Sequence, residues 1–179
     1  AIVTTKTDKD GAFSFNNIPY GEWVVKEIAA PTGYAVDATQ HHIYISDDGV
    51  VINVTMVDKQ VQISKTDITG QKEVVGAELI ITDESGNVID SWTSTDTAHY
   101  ANGLVEGHKY TLTEKTAPYG YEIANSIVFV VTSDKAIQTV VMNDSPILSS
   151  VLVNKVDSVT GENIISRKFE FTLYSDPEC

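Results

Sequence analysis

Apolar and polar residues alternate with a period of two along most of the chain. The alternation is clear in Val61-Gln62-Ile63, in Lys109-Tyr110-Thr111-Leu112-Thr113 and in Phe169-Glu170-Phe171-Thr172-Leu173. Such segments predict strands with one face buried and one in water. Ile127-Val128-Phe129-Val130-Val131 is apolar throughout and predicts a strand buried on both faces. Turn formers separate the runs: Asp10-Gly11, Pro31-Thr32-Gly33, Asp47-Asp48-Gly49, Ser85-Gly86-Asn87 and Thr160-Gly161. No stretch of helical length keeps a 3.6-residue period. The expected fold is all-β, a sandwich of short strands. Composition agrees, because 22 Val, 17 Ile and 19 Thr stand against 6 Leu. Branched side chains pack well on a pleated surface and lose rotamer freedom in helices.

The chain also repeats itself. Val61-Gln62-Ile63-Ser64-Lys65-Thr66-Asp67, then Thr69-Gly70, matches Val151-Leu152-Val153-Asn154-Lys155-Val156-Asp157, then Thr160-Gly161. Trp23-Val24-Val25-Lys26-Glu27, followed by Pro31, Gly33 and Tyr34, matches Tyr110-Thr111-Leu112-Thr113-Glu114, followed by Pro118, Gly120 and Tyr121. Val54-Thr55-Met56-Val57-Asp58 matches Thr139-Val140-Val141-Met142-Asn143. Each unit thus has a Lys strand, a Glu strand and an Asn or Asp strand. Lys65 lies 49 residues before Glu114. Lys6 lies only 21 residues before Glu27, too few for the intervening strands. Counting from Lys155 to the last residue and on from the first to Glu27 gives 51. The expectation is one complete domain over residues 60–146, flanked by complementary parts of a second. Residues 147–179 supply its first strands and residues 1–59 its last.

The combined pattern is Lys-x-Asp with Thr-Gly, then Tyr-x-Leu-x-Glu with Ala-Pro-x-Gly-Tyr, then a strand ending in Asn-Asp or Val-Asp. It resembles the Cna B-type repeat of Gram-positive surface adhesins and pilins. The resemblance implies an Ig-like, prealbumin-like sandwich, crosslinked by a spontaneous amide between Lys and an Asn or Asp on the last strand, with a buried Glu assisting. It implies Lys65, Asn143 and Glu114 for those roles in the middle domain, and Lys155, Asp58 and Glu27 in the split one. It further implies an extracellular, cell-wall location and a stalk-like structural role with no cofactor.

The residue types suit that chemistry. Burial disfavours charge, which frees an amine to attack and lets a carboxyl donate a proton. The fold supplies proximity, worth ~7–11 kcal/mol of the barrier. Asn143 would release ammonia and Asp58 water. The reaction occurs once per site, so it is maturation and not enzymatic turnover. Closing a loop of about 78 residues would stabilise the domain by roughly 4.5 kcal/mol on the chain-entropy model.

Charge and the remaining motifs narrow the partners. Twelve Lys and Arg against 25 Asp and Glu give a net charge of −13, which excludes nucleic-acid binding through phosphates. No run of about 18 apolar residues is present, so no helical membrane span is expected. Cys179 is the only cysteine, so an internal disulfide is impossible. Asp8-Lys9-Asp10-Gly11 starts like a calcium loop but lacks the closing acid and reads as a hairpin turn. His41 and His42 are adjacent on a strand and face opposite ways, so no metal site is expected. If sandwiches stack end to end, the linker 144–150 spans at most ~23–25 Å. The expected partner is therefore another copy of the chain, with 147–179 of one molecule completing 1–59 of the next. The competing reading is an adhesin whose loops hold a host protein or glycan, with Trp92 and Tyr119 as candidate contacts.

Overall fold

A computed structural model describes residues 3–134, 136–165 and 168–174. It divides into a unit ending at Ile147 and a second beginning at Leu148. In the first unit nine strands form, and no helix appears among the described residues. Strands β1 (Gly21–Lys26) and β2 (Gln40–Ile45) form an antiparallel pair. The sandwich follows. Strands β3 (Val61–Asp67), β6 (His99–Tyr100) and β9 (Gln138–Asp144) make a sheet of order β6-β3-β9. Strands β4 (Glu78–Thr82), β5 (Val88–Thr93), β7 (Lys109–Thr116) and β8 (Ile127–Val130) make the other, of order β5-β4-β7-β8. The fold is all-β, as the alternation predicts.

The core forms where the inward rows of both sheets meet. Val61, Ile63, Val140 and Met142 from one face Leu79, Ile81, Tyr110, Leu112 and Phe129 from the other. Replacing Leu112 with Ala should cost ~2–5 kcal/mol in urea unfolding, since the side chain is fully buried. Val128→Ala, on the open face of β8, should change stability by less than ~0.5 kcal/mol.

That exposure corrects one expectation. The run 127–131 is not buried on both faces: Val128 is 62% exposed and Val130 46%. β8 is an edge strand of the four-stranded sheet, with one face in water. An apolar outer face leaves the sequence without the period-two signal that marks a half-buried strand.

β3 and β9 run parallel and in register, with Lys65 opposite Met142 and Thr66 opposite Asn143. The first and last strands of the middle domain are thus neighbours, and this brings the candidate residues together.

Candidate functional site

Inward positions on β3 are Val61, Ile63 and Lys65, so the lysine continues an apolar row and its side chain is 2% exposed. Glu73 fixes the backbone there. It accepts from Lys65 N at 2.7 Å and from Ser64 Oγ at 2.5 Å, while Val74 N donates to Lys65 O. Glu114 occupies an inward position on β7, an interior strand, and its side chain is fully buried. Its Oε2 accepts from Ala124 N at 2.6 Å, which turns Oε1 towards Lys65 Nζ at 3.2 Å. The lysine therefore lies between the two sheets, with a carboxyl group from the opposite sheet against it.

The third member is Asp144 and not Asn143. Lys65 Nζ donates to Asp144 Oδ1, and the Asp144 side chain is fully buried. Asn143 faces outward, where its Oδ1 accepts from Thr66 Oγ1 at 2.7 Å. Strand parity is the reason: Val140, Met142 and Asp144 point inward, so the residue between the last two points out. The signal was in the sequence. Aligning Met56 with Met142, two residues before Asp58 and Asp144, gives the correct register.

The first repeat reproduces half of this arrangement. Asp37 N donates to Glu27 Oε2 at 2.7 Å, ten residues along, as Ala124 N does to Glu114. Ala35 N donates to Lys59 O just as Glu122 N does to Ser145 O, which makes Asp58 the counterpart of Asp144. Burial pushes the Glu27 carboxyl above its ordinary pKa; the Asp37 amide opposes this, and the nearby charges of Asp58, Asp37 and Glu106 add to it. The unit beginning at Leu148 carries Lys155 on a hairpin like that of Lys65. Val156 bridges Asn163 as Thr66 bridges Glu73, and Ile164 N donates to Lys155 O as Val74 N does to Lys65 O. Lys155 itself is exposed, with Nζ 5.8 Å from the Phe169 ring centre.

The remaining candidates resolve into structural parts. Asp8 Oδ1 accepts from Asp10 N and Ala12 N, and Asp83 repeats the pattern with Ser85 N and Asn87 N, so both segments are tight turns, the second joining β4 to β5. His41 is half-buried and His42 exposed, on opposite faces of β2. No cluster able to hold a metal occurs among the described residues. Trp92 is half-buried and stacks on His99 at 4.1 Å, which removes it from the loops. Tyr119 is fully exposed. No helix among the described residues is long and apolar enough to cross a membrane.

Two facing sheets closed by parallel first and last strands, with a Lys–Glu–Asp cluster between them, define a prealbumin-like β-sandwich. The family model described as the SpaA prealbumin-like fold domain matches residues 1–60 and again residues 59–146, and the chain belongs to that family. Among solved structures it is similar to the TIE protein of Bacillus anthracis, with 25% identity and a TM-score of 0.42 over 79% of this chain and 28% of that one. It is similar to the group B streptococcus pilus 2b backbone protein, with 21% identity and a TM-score of 0.44 over 60% and 48% of the two chains. It is also similar to a double mutant of the shaft pilin SpaA from Lactobacillus rhamnosus GG, with 15% identity and a TM-score of 0.42 over 74% and 66%. The chain thus spans less than two thirds of each of these proteins. It matches no curated protein sequence.

Proposed function

We propose that the chain is a load-bearing module of a Gram-positive surface protein, of pilin or stalk type, and that residues 60–146 mature by forming an amide between Lys65 and Asp144. The observation that carries this is the buried Lys65 amine in contact with both Asp144 and Glu114. Nζ attacks Cγ of Asp144, the Nζ–Cγ bond forms, one carboxyl oxygen leaves as water, and nothing is oxidised or reduced. An ammonium–carboxylate pair holds the same protons as an amine–carboxylic acid pair. Transfer of one proton within the cluster supplies the amine and the acid that condense. Glu114 Oε1, 3.2 Å from Nζ, is positioned to carry the proton from the amine to the departing oxygen. Asp144 Oδ2 is buried and has no hydrogen-bond partner among the described residues. Such an orphan oxygen costs ~1–3 kcal/mol, and condensation removes one oxygen from this carboxyl group. Protease digestion of the denatured chain should release a branched peptide joining the segments that contain Lys65 and Asp144. Two separate peptides would overturn the reading.

The same chemistry extends to Glu27 and Asp58, with Lys155 of another molecule as the amine. Support comes from the matched Glu27 and Glu114 clamps and the matched hairpins of Lys155 and Lys65. The chain would then link head to tail, a heterologous contact that gives open polymers. On a denaturing gel, concentrated protein should show a ladder of covalent multiples that Lys155→Ala abolishes. A ladder that survives Lys155→Ala would rule this extension out and leave the Lys65 reading untouched.

A further inference from the structure

Lys59 stands between the two repeats, and its side chain is fully buried. Its Nζ donates to Thr132 Oγ1 at 2.6 Å, Asp134 Oδ1 at 2.7 Å and Asp134 O at 2.9 Å. Three acceptors satisfy all three ammonium hydrogens. Hydrogen bonds from Lys59 and Thr132 hold the Asp134 carboxyl down to about 2, so the partner stays ionised. The backbone of the same residue faces the other way, where Lys59 O accepts from Ala35 N at 2.7 Å.

Ala35 belongs to a strap, residues 33–36, that plugs the first repeat into the sandwich. Gly33 N donates to Asn102 Oδ1 at 2.8 Å, Val36 N to Leu104 O at 2.8 Å, and Glu106 N to Val36 O at 3.0 Å. Ala35 is 1% exposed and joins the sandwich core. Gly33 has φ of +84°, a left-handed value that few other residues adopt without strain. Asp90 anchors the receiving loop, accepting from Asn102 N at 2.7 Å.

The strap register does not itself demand a lysine. In the second repeat the equivalent carbonyl belongs to Ser145, whose short hydroxyl cannot make such a bridge. A buried ammonium carries a large desolvation penalty, so its presence at one junction calls for a specific role. We propose that Lys59 is an inter-repeat latch, tying the strap of the first repeat to the β8–β9 loop of the sandwich so that both repeats transmit force as one body. The latch is separate from the proposed crosslink: among the described residues Lys59 Nζ bonds to Thr132 and Asp134, and not to Glu114 or Asp144.

Hydrogen exchange on the full chain tests it with two variants, Lys59→Met and Asp134→Ala. The amides of Ala35, Val36 and Glu106 should exchange at least roughly tenfold faster in each, while those of Ile63 and Leu112 keep their rates. Unchanged exchange at the strap amides would overturn the latch. So would an equal rise at Ile63 and Leu112, which would make Lys59 a contributor to general stability. Should Lys59→Met fail to fold, Asp134→Ala decides alone, since that side chain is 62% exposed.

Discussion

The denatured chain, measured intact in a Lys155→Ala background, is expected to weigh about 18 Da less than its sequence, the mass of one water. The figure discriminates between neighbours on β9. Condensation at Asn143 would release ammonia and give about 17 Da. Asn143→Ala should therefore keep the deficit, and Lys65→Ala, Asp144→Ala and Glu114→Ala should each abolish it. Glu114→Ala is the informative member, because it keeps both reacting groups while it removes the proton carrier, along with the bond from Ala124 N. The bond closes a span of 79 residues, which on the chain-entropy model is worth roughly 4.5 kcal/mol. For a domain of this size that corresponds to a Tm lower by about 20–35 °C in Glu114→Ala. Lys65→Ala should fall further. It also strands two buried carboxyl groups without a cation, a change that costs about 3–5 kcal/mol for a broken buried pair. An unshifted mass in a folded, Asn143-intact chain would sink the mechanism.

Stretching single molecules should expose the second large effect. Force enters the middle domain through β3 and leaves through β9, which pair in parallel from Val61–Gln138 to Asp67–Asp144. An amide between Lys65 and Asp144 short-circuits everything between them, so the domain should show no unfolding step. Lys65→Ala opens the circuit. The residues between positions 65 and 144 then add up to about 260–280 Å, at ~3.3–3.6 Å per residue. A step of that length in the unmutated chain would mean that the load is borne by hydrogen bonds and packing alone.

Much of the site is legible in the sequence. Lys65 and Glu114 were identified from their place in the repeat, and the structure brings them within 3.2 Å of each other. Asn143, expected at the site from its match with Asp58, faces outward instead. A shift of one residue moves a side chain to the opposite face of a sheet. The parity of Val140, Met142 and Asp144 settles which residue faces the core. Lys59 was not singled out at all. Its partners Thr132 and Asp134 lie 73 and 75 residues away, and a single lysine after a strand reads as a solvated charge.

The sequence by itself determined the class of fold, the repeat and the lysine and glutamate of the buried cluster. These rest on local regularities: a period of two, β-branched composition and fixed turn residues, each read over a few neighbours. Tertiary structure decided which carboxyl group meets Lys65, that β8 lies at a sheet edge, and that Lys59 is buried. Those outcomes depend on which strands become neighbours and which face each one turns inward. Pairing of segments from 15 to 79 residues apart fixes them, and no local pattern carries that information.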